Sequence, residues 1–170
     1  VRDDVHFAPC RVHVLHSVRG FTPYMSCMPL EETTTMTMSL DEKYRPRRFS
    51  DFEGQSNAVE ILSRLAKRKI RRNILLKGDL GSGKTSFAHV YARALFCESL
   101  LADGSPCNSC GPCCEHEYLF EYDTALHGGD LQSVTEFLQK VDFAARTSAG
   151  AVAFLDECHV LTKQAMDAFL

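Results

Sequence analysis

The rhythm of apolar and polar positions changes near residue 39. Upstream, residues 1–38 carry three His, scattered Arg, Pro9, Pro23 and the tract EETTTMTM, with neither a helical nor a strand period. That stretch reads as a poorly ordered extension. Met36 and Met38 are candidate natural starts, with the preceding residues coming from an over-extended reading frame.

From Ser39 onward the pattern is regular. Residues 43–55, KYRPRRFSDFEGQ, form a polar, Pro-punctuated lead-in. Ser56 then caps a helix with Ile61, Leu62 and Leu65 at helical spacing. Residues 73–77 (NILLK) make a short apolar strand, followed by the turn GDLGSG and a second helix from Thr85 to about Phe96. Residues 118–122 (YLFEY) read as a strand. Asp130 caps a helix that lines up Leu131, Val134, Leu138 and Val141. Residues 151–155 (AVAFL) are a continuous apolar run of the buried-strand type. Thr162 caps a last helix still running at Leu170, so the chain is expected to be a fragment.

Strands alternating with helices predict an α/β fold built on a parallel sheet, with residues 39–170 as one domain. Composition adds little: 45% hydrophobic, 24% charged and a net charge of −3 neither favour nor exclude nucleic acid. No apolar run approaches the roughly 18–20 residues that span a bilayer, and the N-terminus lacks a secretory pattern. The expected setting is therefore a reducing cytoplasm, without a membrane partner, where clustered thiols more often bind metal than pair.

GDLGSGKT (78–85) fits the phosphate-loop pattern G-x-x-x-x-G-K-[ST]. Gly78, Gly81, Ser82 and Gly83 let amide hydrogens converge on an anion, beside the positive end of the following helix. Lys84 reaches the β- and γ-phosphates, Thr85 offers a hydroxyl to Mg²⁺, and Ser86 completes the first turn. The preceding strand and following helix supply the context this motif requires, and a bare glycine turn is the bland alternative.

Asp156 and Glu157 end the apolar strand, where open α/β sheets hold ligands. Asp156 suits the metal's water shell, and Glu157 suits orienting an attacking water. The same Asp-Glu-Cys-His also resembles the second motif of DExH-type helicases.

Five of the eight cysteines fall in residues 97–114. Cys107, Cys110 and Cys113 form C-x₂-C-x₂-C, with Cys97 ten residues earlier, a set suited to structural zinc. Cys114 and His116 are alternative fourth ligands. An iron–sulfur cluster or simple buried thiols are the other readings. The basic run KRKIRR (67–72) is either a DNA-phosphate contact or a solvated helix end.

Together, the lead-in YRPRRFSDFEGQ, the phosphate loop, the four-cysteine insertion at 97–117 and the strand ending in Asp-Glu resemble the bacterial clamp-loader ATPases. These are the gamma/tau family of DNA polymerase III, AAA+ proteins. The intact loop favours that family over its delta-prime sister. The resemblance implies a P-loop NTPase with a three-layer parallel sheet, helices on both faces and a small zinc module, here truncated. It implies ATP and Mg²⁺ as cofactors, Lys84 and Glu157 as catalytic residues, and structural Zn²⁺ on Cys97, Cys107, Cys110 and Cys113. It also carries adenine contacts onto Tyr44, Arg45, Pro46 and Gly54. Implied partners are other loader subunits, the sliding clamp and primed DNA. A non-hydrolysing, zinc-bearing AAA+ module is the non-enzymatic alternative.

Overall fold

The computed structural model describes residues 10–15, 40–79, 81–115 and 117–169. In chain order the elements are β1 (Cys10–Leu15), α1 (Leu40–Tyr44), a 3₁₀ turn at Phe49–Asp51, α2 (Ser56–Lys67), β2 (Ile74–Leu76) and α3 (Lys84–Phe96). There follow α4 (Gly111–Glu115), β3 (Leu119–Asp123), α5 (Thr124–His127), α6 (Leu131–Thr147), β4 (Ala151–Asp156), a 3₁₀ turn at Cys158–Val160 and α7 (Lys163–Ala168).

The described residues divide into two compact units. The first gathers 10–15, 71–79, 81–88 and 117–169, and the second gathers 40–70 with 89–115.

The first unit holds a four-stranded sheet in the order β2-β1-β4-β3. β3 and β4 pair in parallel, Leu119 with Val152 through Asp123 with Asp156. β1 is antiparallel to both β2 and β4. β2, β3 and β4 therefore share one direction, as the alternation predicts, and β1 runs against them. That departs from a wholly parallel sheet, and it places a strand inside the stretch expected to be irregular. The rest of 1–38, and with it Met36 and Met38, lies outside the described residues.

β4 is the core. Residues 151–155 are each at most 1% exposed, so the strand is covered on both faces, which explains its unbroken apolar run. Ala151, Ala153 and Leu155 join Val134, Val141, Ala145, Ala165 and Phe169 in one cluster, with Phe137 and Leu138 packed against it. Val134, Leu138 and Val141 of the stripe read from the sequence pack here and Ala145 extends it, whereas Leu131, in the first turn of α6, is 42% exposed.

Alternation along the strand puts Val152, Phe154 and Asp156 on the opposite face. Two of the three expected caps are present: Asp130 accepts from the Ser133 amide at 3.0 Å, and Thr162 accepts from the Ala165 amide at 3.3 Å. Ser56 is instead the first residue of α2, with Gln55 at the cap position and no side-chain cap bond. α6 continues to Thr147, and α7 ends at Ala168.

In the second unit, α2 buries Leu62 and Ala66. The later turns of α3 bury Val90, Tyr91, Ala92, Ala94 and Leu95. The Tyr91 hydroxyl donates to the Ile70 carbonyl at 2.6 Å, and burial raises this phenol to about 12.

Candidate functional site

Two constellations emerge, one in each unit. In the first, the phosphate-loop sequence connects β2 to α3. Gly81 and Gly83 take φ values of +77° and +84°, a region closed to most side chains, and this lets the loop reverse into the helix. The Phe87 amide donates to Gly83 O at 2.9 Å as α3 begins. The Lys84 ammonium folds back to donate to Gly78 O at 3.0 Å and Asp79 O at 2.8 Å. It stands among the loop's own carbonyls. Ser82, Thr85 and Ser86 are half-buried around it, and Leu80 lies outside the described residues.

The Thr85 hydroxyl donates to Asp156 Oδ2 at 3.2 Å. Two positions 71 residues apart in sequence thus meet at the end of β4. The other Asp156 oxygen accepts the Glu157 amide at 2.9 Å. Glu157 adopts a left-handed backbone, φ 55° and ψ 31°, sparsely populated for a residue with a side chain. The Thr124 hydroxyl, buried at the end of β3, lies 3.1 Å from Asp156 O and 2.9 Å from Glu157 O. It ties the two carbonyls across the strand ends. Glu157 Oε2 lies 3.5 Å from His159 Nδ1, an ion pair whenever that imidazole is protonated.

The lead-in residues belong to the second unit. Tyr44 ends α1, 72% exposed, with the Lys43 ammonium 5.5 Å from its ring centre. Arg45 is exposed, Pro46 half-buried, and Gly54 exposed with φ +76°.

The second constellation comprises Cys97, Cys107, Cys110 and Cys113, whose sulfurs all lie within 4.8 Å of one another. A tetrahedral metal with bonds of about 2.3 Å to sulfur needs sulfurs about 3.8 Å apart. Cys107 and Cys113 are 4.0 Å apart, so the set fits. Cys114 is exposed and outside the group, and His116 lies outside the described residues.

Backbone amides already point at the sulfurs. Cys107 N donates to Cys97 Sγ at 3.3 Å, while Ser109 N and Cys110 N donate to Cys107 Sγ at 3.4 and 3.3 Å. Burial by itself raises the Cys107 thiol, but hydrogen bonds from Ser109 and Cys110 outweigh it and bring it down to about 6. Burial pushes the Cys97 and Cys113 thiols up.

Lys69 is the residue that sequence reasoning misplaced. Its ammonium donates to Ala94 O, Leu95 O and Cys97 O at 2.8, 3.1 and 2.6 Å, closing the C-terminal end of α3. Arg71 reaches Ala149 O at 3.4 Å. Of the basic run, Lys67, Arg68 and Arg72 remain exposed. A five-cation run carries no signal that one member is a helix clamp, because the partners lie more than twenty residues on.

An α/β unit in which a phosphate-loop sequence opens a helix against the acidic end of a neighbouring strand defines the class, a P-loop protein of the AAA+ type. Residues 54–170 match the family described as DNA polymerase III, delta subunit, and the chain belongs to that family.

Among its relatives, DNA polymerase III subunit tau of Bacillus subtilis is 33% identical over 133 residues, covering 75% of this chain and 23% of the relative. The tau subunit of Escherichia coli is 31% identical over 137 residues, 77% of this chain and 21% of the relative. Protein STICHEL-like 4 of Arabidopsis thaliana is 39% identical over 137 residues, 77% of this chain and 14% of the relative. The resemblance to gamma/tau subunits seen in the motifs is thus borne out. The chain spans less than a quarter of the length of these relatives. No solved structure gives a significant match. Among the described residues, no helix is long and apolar enough to cross a membrane.

Proposed function

We propose that the chain is the nucleotide-binding part of a clamp-loader-type ATPase. The hydrogen bond between Thr85 and Asp156 carries the reading, since it joins the phosphate loop to the acidic strand end at 3.2 Å. On this reading Gly78, Gly81, Ser82, Gly83, Lys84, Thr85 and Ser86 hold the phosphates of ATP, and Thr85 with Asp156 holds Mg²⁺, which neutralises phosphate charge when bound. Glu157 orients the water that attacks the γ-phosphate. Tyr44, Arg45, Pro46 and Gly54 take the base, by resemblance alone. The four cysteines hold structural Zn²⁺, which leaves no open position for chemistry.

Relatives named as polymerase III subunits support a role in replication, with partner subunits, sliding clamp and primed DNA as the whole protein's companions. The test is calorimetric titration of MgATP into the native chain, Lys84→Ala and Asp156→Asn. Binding by the native chain and its loss in both variants supports the site, whereas equal binding by all three refutes it.

A second reading is a zinc-bearing module that binds nucleotide without hydrolysing it. ATP turnover by the full-length protein, abolished in Glu157→Gln, rejects this second reading.

A further inference from the structure

The cysteine group does more than close on itself, because its loop is bonded to the lead-in backbone within the second unit. Phe49, 1% exposed, anchors the 3₁₀ turn, and its amide donates to the Ser105 hydroxyl at 2.8 Å. Ser105 is fully buried, and its own hydroxyl donates to Asp103 Oδ2 at 2.7 Å. The single hydroxyl proton is thereby committed to Asp103, which leaves a lone pair facing Phe49. The Asp51 carboxylate accepts the Arg47 and Arg48 amides at 3.0 and 2.9 Å and closes the turn from the other side.

Asn108 supplies the second link. It sits between Cys107 and Cys110 with φ +60°, the left-handed conformation that turns the next two amides toward Cys107 Sγ. Its Oδ1 accepts from Arg93 Nη1 at 3.1 Å, and a guanidinium can only donate. The carboxamide is therefore oriented with Nδ2 toward the Arg47 carbonyl, 3.3 Å away. The sulfur positions and the lead-in backbone are coupled through one residue. The loop is also seated firmly: a Cβ at Gly104, φ +92°, would lie 2.8 Å from the Ser63 carbonyl of α2.

We propose that the metal-loaded cysteine knot is a brace for the nucleotide-binding lead-in, with Ser105 and Asn108 as positioning residues that fix the backbone of residues 47–49. The segment 44–46, immediately upstream, is held in the conformation that takes a nucleotide base. This clause rests on the function proposed above. Metal loading thereby sets affinity for the base half of the nucleotide and leaves affinity for the phosphates alone.

The experiment uses the full chain in five forms: native, metal-stripped, Ser105→Ala, Ser105→Thr and Asn108→Gly. Glycine keeps the left-handed turn while deleting the carboxamide, so Asn108→Gly retains the fold if serine removal does not. Three quantities are read: metal content, amide hydrogen exchange across residues 47–52, and affinity for MgATP against inorganic triphosphate.

Losing one buried hydrogen bond should speed exchange of the Phe49 amide about tenfold in Ser105→Ala. Metal removal should do the same, and Ser105→Thr should restore the native rate. Both variants should keep the native metal content, lose about three- to tenfold in MgATP affinity, and bind triphosphate normally.

Unchanged exchange at 47–52 after metal removal overturns the brace. Accelerated exchange with MgATP affinity unaltered overturns its link to the base. A native chain that binds neither ATP nor triphosphate instead defeats the phosphate-loop reading, and the exchange data still judge the brace.

Discussion

The two units keep their reactive side chains in place by opposite means. In the first, Asp156 sits at the end of a strand whose five preceding residues are at most 1% exposed, packed into the core with α6 and α7. In the second, residues 97–115 contribute little large apolar surface beyond the end of α3. That stretch is held by Asp103, Ser105 and Asn108, by amides aimed at sulfur, and by four thiols grouped within 4.8 Å. Burial of an apolar core does not depend on what binds at its edge. A polar knot of converging sulfurs draws its stability from what it binds.

If the four cysteines hold zinc as proposed, removing it should break this contrast most deeply. Structural zinc contributes apparent free energies on the order of 10–16 kcal/mol in small metal-dependent folds. Strong chelation should therefore abolish amide protection across 97–115 while β4 stays protected, as read by hydrogen exchange. Equal loss in β4 would show that the two regions stand or fall together.

The same knot should be pH-sensitive in a definite direction. Cys107 binds a proton below about 6, so metal affinity should drop as pH falls through that value. Affinity should keep rising above it, since Cys97 and Cys113 hold their protons beyond the ordinary thiol range. Zinc competition at several pH values measures this.

Leu155→Ala is the mirror experiment in the first unit. Deleting a fully buried leucine costs about 2–5 kcal/mol, seen in urea unfolding, and the folded fraction should keep its native metal content. Smaller again is Lys84→Ala, which removes a charge-assisted bond of about 1.5–3 kcal/mol, a ten- to hundredfold loss in nucleotide affinity by calorimetry. Its metal content should not change. Asp130→Ala should lower thermal stability least of all, by removing the α6 cap, with neither ligand affected.

Much of this was legible from local pattern. The stripe Val134, Leu138, Val141, the caps at Asp130 and Thr162, the buried run at 151–155 and the spacing of three cysteines each follow from interactions within a few residues. The loop sequence and the acidic pair were legible as chemistry, although their meeting at 3.2 Å was only an expectation. α1, α5 and the strand at Cys10–Leu15 carried too short or too irregular a signal to be read.

By itself, then, the sequence determined which segments are helix or strand in the larger elements, which residue types converge on phosphate, and which thiols suit a metal. Only the tertiary structure decided that β1 runs against its neighbours, that Lys69 closes the end of α3, and that Asn108 and Ser105 hold the lead-in. The reason is physical. Periodicity and capping are set by neighbours along the chain, whereas a hydrogen-bond partner 25, 56 or 61 residues distant is chosen by how the whole chain packs, and no local pattern encodes it.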